Sequence, residues 1–260
     1  MKTTNLFARN LFLGALALAM VATASQALAD NVPQLITVVR IKGEARYTTD
    51  NRTWQALKKG DVLKPGCVIQ TAPKAMVDIQ LGERDASVAP ISFNPTSPLY
   101  APEQQKANIV RIFENSALAV DKLSVNKTGT GDELSETQLD LRAGQIMGNV
   151  KKLSAASKYE VKIPNGVAGI RGTVYMISSS GVVNVLSGSV VIAIVGSDGT
   201  VITRVVTAHE SYDPATNTIS QLTPAQVTAL QNLYIQLGGP PNTPPSGPIS
   251  PTPILYVSPN

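Results

Sequence analysis

An all-β fold with one helix near the C-terminus is predicted for this chain by three observations. Val, Ile and Thr dominate residues 35–207; Gly, Asn-Asp and Ser-Gly turn signals recur there at short intervals; and helical periodicity is nearly absent before Thr223. Two hairpins follow from the pattern. Val174 to Ile177 pairs with Val182 to Leu186 across Ser178–Gly181, and Val190 to Val195 pairs with Val201 to Val206 across Gly196–Gly199. Both turns carry a glycine able to take positive φ.

A weak internal echo runs through the β region: Val39 to Gly43, Leu139 to Gly144 and Val183 to Gly188, each an apolar strand that reaches a glycine and then resumes. The repeated unit is a strand that kinks at glycine, as bulges and corners require. Such units wrap into a β-roll, a short solenoid or a sandwich, and unequal spacing argues against a regular repeat. Residues 82–106, with Pro90, Pro95, Pro98 and Pro102, are expected to be an irregular insertion, and residues 126–136, with Thr128-Gly-Thr-Gly-Asp132, a second loop. Between them Asn108 to Val120 reads as two strands around Glu114-Asn115.

The ends differ in kind. Residues 1–29 follow an export pattern, with Lys2 and Arg9, an apolar run from Leu11 to Ala22, and Ala27-Leu-Ala29 before Asp30. The run is shorter than the roughly 20 residues a spanning helix needs, so a cleavable signal cut after Ala29 and a periplasmic or secreted protein are expected. Residues 30–212 form the β-domain and residues 213–237 a helical segment. Thr223-Pro-Ala-Gln226 is a capping box with Pro at the first helical position, and Gly238 is the stop. Val227, Leu230, Tyr234 and Leu237 share the face that would dock on the sheet, with Leu233 beside them. Residues 238–260 hold eight prolines and end near the apolar Ile254-Leu-Tyr-Val257, a Pro-rich tail.

Function classes narrow by inventory. The formal charge is +4; without Lys2 and Arg9 there remain 20 basic against 18 acidic residues, a net of +2. Basic residues are dispersed apart from the pairs Lys58-Lys59 and Lys151-Lys152, so nucleic acid is not an expected partner. With one His, His209, and one Cys, Cys67, no two-His metal site can be built, and neither a metal nor a cofactor is expected. His209 reads as a structural or surface residue, and Cys67 as a small buried one. No phosphate-binding glycine loop and no Gly-x-Ser-x-Gly appear, so the chain is expected not to be an enzyme. A carboxylate hydrolase would need two of Asp78, Asp85, Glu114, Asp121 and Asp132 to converge.

The segment Ile163-Pro164-Asn-Gly-Val-Ala-Gly169-Ile-Arg171-Gly172-Thr173, continuing to Ile177, is the most specific stretch of the sequence. It reads as a strand, a Pro-containing crossing, and an apolar residue followed by Arg-Gly-Thr, and in this it resembles the FecR domain, named for the ferric-citrate regulator. The general pattern extends over roughly residues 35 to 207. The resemblance implies an envelope module that works by protein contact, since regulators of that type sense a loaded outer-membrane transporter and signal to a sigma factor. Here a cleavable signal is expected where those regulators have an anti-sigma segment and a spanning helix, and a helix with a Pro-rich tail is expected in place of their transporter-docking part.

Within the motif, Pro164, Gly169, Gly172 and Thr173 are expected to shape the crossing. Arg171 is expected to tie off carbonyls or a carboxylate with its fork of donors, or else to present that fork to a partner. A protein partner in the cell envelope is the first expectation. The alternative is a glycan- or peptidoglycan-binding protein, which requires Trp54 and Tyr47 on one open face.

Overall fold

The computed structural model of the chain describes residues 31–82, 108–127, 133–196 and 198–239. Its first strands are β1 (Asn31–Pro33), β2 (Ile36–Lys42), β3 (Ala45–Thr48), β4 (Gln55–Ala56), β5 (Val62–Leu63), β6 (Cys67–Thr71), β7 (Met76–Leu81), β8 (Asn108–Ile112) and β9 (Ala117–Lys127). After them come β10 (Glu133–Ala143), β11 (Gln145–Asn149), β12 (Lys158–Ile163), β13 (Gly166–Ser178), β14 (Val183–Val195), β15 (Val201–Thr207), β16 (Glu210–Asp213), β17 (Thr218–Gln221) and the helix α1 (Pro224–Gln236). The predicted signal segment, the 82–106 insertion beyond Gly82 and the Pro-rich tail beyond Gly239 lie outside the described residues.

These strands make one sheet curled into two faces. On the first, β5, β2, β7, β8, β11, the second half of β13, the first half of β14, β16 and β17 pair in that order. On the second the order is β4, β3, β6, β9, β10, β12, the first half of β13, the second half of β14 and β15, with β1 also on β9. The β10–β12 pair is parallel and the others are antiparallel. Alternate residues of both faces turn inward to one core, which includes Ile36, Ile79, Val110, Ile146 and Ile177 from the first and Ile69, Leu118, Leu139, Val161 and Val190 from the second.

The chain passes between the faces at corners, and the glycine echo marks three of them. Gly43, Gly144 and Gly188 have φ of 73°, 80° and 83°. At Gly144 the reason is steric as well as conformational, because a β-carbon would lie 2.6 Å from Ser116 Cα in the neighbouring corner. Ser116 stitches the two corners, its hydroxyl accepting the Gln145 amide at 3.0 Å while its own amide donates to Thr71 Oγ1 at 3.0 Å. The remaining crossings lie at 34–35, 57–61, 64–66, 72–75, 113–116, 150–157, 172–173 and 208–209.

Both predicted hairpins form, with Ile177 opposite Val183 and Val195 opposite Val201. The second loop is shorter than the sequence suggests: Asn126 and Glu133 to Glu136 belong to β9 and β10, whose ladder pairs Leu134 with Asn126. Polar residues there alternate on a sheet face, which composition alone reads as loop. Likewise His209 precedes two further strands, and its φ of 65° makes it a corner residue whose amide donates to Val185.

Helix α1 carries its capping box as expected, with Thr223 as N-cap and Gln226 answering from the third helical position. Leu230 and Leu237 pack with Met147, Val174 and Leu186 on the outside of the first face, with Val227, Leu233 and Tyr234 around them. At the edge of that contact Arg111 and Asp78, 0% and 2% exposed, form a fork-to-fork pair at 2.7 and 2.9 Å. Arg111 also donates to Gln236 Oε1 of α1 at 3.0 Å, and Arg40 approaches Asp78 at 3.5 Å.

Candidate interaction surface

The motif at 163–173 is a tight hairpin turn leading into one long strand. Pro164-Asn165 is the two-residue turn between β12 and β13, since Ile163 pairs with Gly166. The strand therefore begins at Gly166 and runs through Arg171-Gly172-Thr173. The ladder with β14 slips between Arg171 and Val174, with Gly172 at φ 63°, and there β13 leaves one face for the other.

Thr173 is what ties this corner. It is 1% exposed, and its hydroxyl donates to the Ser189 carbonyl at 2.8 Å and accepts the Ser189 amide at 3.2 Å. Arg171, expected either to do so or to present its fork to a partner, is exposed, and among the described residues no hydrogen bond or ion pair engages its guanidinium. The correction follows from strand period: Ala168 and Ile170 point into the core at 0% and 4% exposure, so Val167, Gly169 and Arg171 must point outward.

Those outward residues belong to a surface that the cross-strand register assembles on the second face. Arg171 lies beside Ser189 and Thr207; Gly169 beside Val191 and Val205; Val167 beside Ala193 and Thr203; and Val195 beside Val201. Val191, Val195, Val201 and Val205 are 45%, 49%, 66% and 54% exposed. The floor is flat at Gly169, where an added β-carbon would meet no atom nearer than the Val191 carbonyl oxygen at 3.8 Å. A glycine left in a strand without steric need suits close approach by another backbone.

The neighbouring half of the same face is charged. Across β12, β10 and β9 run the pairs Lys158–Glu160 at 3.0 Å, Lys122–Glu136 at 2.6 Å and Lys162–Asp121 at 3.4 Å. These exposed pairs contribute little stability. They do keep that half hydrated, so the apolar half is bounded by ion pairs on one side and Arg171 at one end.

Other singled-out residues lie elsewhere. Trp54 stacks under Arg46, whose guanidinium carbon is 4.5 Å from the ring centre, while Tyr47 is the next residue along the strand and packs against the core. The two rings are thus on opposite faces, and no aromatic platform joins them. Asp78 is bound to Arg111, Asp121 pairs with Lys162, and Glu114 sits at an exposed corner, so these three carboxylates do not converge; Asp85 and Asp132 lie outside the described residues. Cys67 is fully buried, and burial pushes its thiol up to about 11. No helix among the described residues is long and apolar enough to cross a membrane.

What the sequence reading missed is the valine half-face itself. The signal was present: in the 190–195 and 201–206 hairpin both alternating sets are apolar or uncharged, apart from Arg204, where one should be polar if only one face were buried.

Fold and surface together define a two-faced β-roll that displays a flat, apolar, solvent-facing half-sheet. Residues 104–191 match the family model described as FecR protein, a stretch that runs from before β8 into β14 and holds the corners at 113–116, 144, 172–173 and 188. Two crystal structures of a candidate anti-sigma factor from Parabacteroides distasonis ATCC 8503 are similar at 14% identity and a TM-score of 0.34, covering 50% and 47% of this chain. The matches take in 56% and 55% of that protein, so this chain spans about half its length. Among curated proteins none matches.

Proposed function

We propose that this chain is an exported, non-catalytic protein-interaction module of the FecR-domain type that works in the cell envelope, in sensing or assembly, and that it binds its protein partner on the valine half-face. The observation that carries the reading is the outward row of Gly169, Val191 and Val205, an uncharged strip on a rigid sheet with Arg171 at its end. Exposed apolar residues that are contiguous and bounded by charge are the ordinary mark of a protein contact. The export pattern of residues 1–29 supports an envelope location, and the FecR match supports a regulatory or signalling setting.

Gly169→Lys tests this directly. The position has room for a β-carbon, so the substitution raises a charged bump without disturbing the core, and the melting temperature is expected to stay within about 3 °C. Crosslinking in intact cells through a photoreactive residue at position 193 is expected to capture a specific envelope protein, and Gly169→Lys to abolish that capture. Equal capture by Gly169→Lys, or recovery of wall glycan without a protein, rejects the proposal.

A further inference from the structure

Beyond the face, the free edge of β15 has a pairing code of its own. Among the described residues β14 is the only strand that pairs with β15. The direction of its backbone groups can be read from three bonds: Gly196 donates to the Thr200 carbonyl across the hairpin at 2.8 Å, Val195 donates at 2.8 Å to Asn165 on the β13 side, and Thr207 donates to Glu210 Oε2 at 2.7 Å. Since successive residues alternate, Val201, Thr203 and Val205 turn both N–H and C=O toward the open edge. Their side chains are the exposed ones. The strand has no proline and a regular register with β14, and its one charge is Arg204. Edges of this length are usually blunted by such devices.

We infer that this edge pairs with the same edge of a second copy, antiparallel and about a two-fold axis through Thr203. In that register Thr203 faces its own counterpart as a hydrogen-bonded pair, and Val201 faces the second copy's Val205 on each side. About six backbone hydrogen bonds form, and each unpaired group of the edge from 201 to 205 is used. Thr–Thr and Val–Val pairs are favourable neighbours across antiparallel strands. Sliding the axis by one residue to Arg204 would set the two guanidiniums opposite each other at the closer, non-hydrogen-bonded spacing, where like charges repel. It would also call on the Thr207 amide, which Glu210 already holds. The sequence around Thr203 thus disfavours that shift, and the axis at Thr203 uses more of the edge than one at Ile202, where Val205 would fall opposite position 199 beyond the strand. The pairing joins the two valine half-faces into one continuous strip and makes the module bivalent, which raises avidity for a partner that presents two sites.

The purified full chain is expected to show a concentration-dependent monomer–dimer equilibrium by sedimentation. Thr203→Pro removes an edge N–H that β14 does not use, and Thr203→Lys sets two ammonium groups opposite each other; each is expected to weaken the dimer by on the order of tenfold or more. Thr203→Cys tests the register. Hydrogen-bonded partners stand about 5.5 Å apart, within disulfide reach, and Cys67 is buried, so an oxidised dimer is expected for Thr203→Cys and not for Arg204→Cys. A chain that stays monomeric at all concentrations overturns the inference, including one whose edge amides are protected by another occupant. So does a dimer that survives both Thr203→Pro and Thr203→Lys, or one in which Arg204→Cys crosslinks as readily. Gly169→Lys is expected to dimerise normally, so loss of partner capture and loss of self-pairing are separate results.

Discussion

Replacing Arg111 by Met should leave the protein folded but much less stable, and the loss should shrink when Asp78 is replaced as well. Arg111 is fully buried and holds both oxygens of Asp78, itself 2% exposed. Breaking a buried pair from one side costs about 3–5 kcal/mol, because the surviving charge stays in the interior without its partner. Arg40 lies 3.5 Å from Asp78 with a half-exposed side chain, and it offsets part of that penalty. The bond to Gln236 adds little, since that side chain is exposed and water replaces the donor. The expected cost of Arg111→Met is therefore near the lower bound, about 3 kcal/mol. In Asp78→Leu/Arg111→Met no buried charge remains, and the double variant is expected to fall within about 1–2 kcal/mol of the parent. Urea unfolding of the four proteins gives the coupling energy. A single-variant loss below about 1 kcal/mol, or a double-variant loss equal to the sum of the singles, would show that the pair is not the closed, dry contact described here.

Gly144→Ala is expected to cost about 3 kcal/mol, from a left-handed backbone and overlap with Ser116, read as a lowered melting temperature. Thr173→Val keeps the shape of the corner but strands the Ser189 amide and carbonyl, for about 1–3 kcal/mol, whereas Arg171→Ala is expected to change stability by less than about 0.5 kcal/mol. Cys67 gives a pH signature. Its folded value of about 11 lies above the ordinary 9.0, so its contribution is complete below pH 9 and is lost as pH rises from there through 11. The loss amounts to about 2–3 kcal/mol, and Cys67→Ala, compared with the parent over that range, should show a shallower decline. The buried hydroxyls of Tyr159 and Tyr175, both pushed above the usual tyrosine range by burial, contribute alkaline sensitivity common to both proteins.

Local rules were read well from the sequence and distant partners were not. The helix from Pro224, its cap and its stop at Gly238 are written in adjacent residues, and both hairpins in alternating apolar runs with a glycine between them. The glycine echo marked true corners, because a left-handed kink leaves a trace in one residue. Arg171 was left with two roles, because Ala168 and Ile170 take the inward positions and only the strand register decides which set faces the core. Asp78 and Arg111 are 33 residues apart in sequence and meet through the β7–β8 ladder. Nothing in the local pattern of either residue announces its partner. The valine half-face was hidden for the opposite reason, since exposed and buried valines look alike in a sequence.

The corners at 43–44, 72–75, 113–116, 144, 172–173, 188 and 208–209 have a mechanical meaning. Each is main chain crossing from one side of the roll to the other, so the two sides are sewn together by covalent thread along two opposite hems, 43–44, 72–75, 113–116 and 144 on one and 172–173, 188 and 208–209 on the other. Neither side can slide or peel without bending that thread at several points together. A tug on the valine strip is therefore carried by peptide bonds to the side clamped by α1, and the roll takes load as one piece.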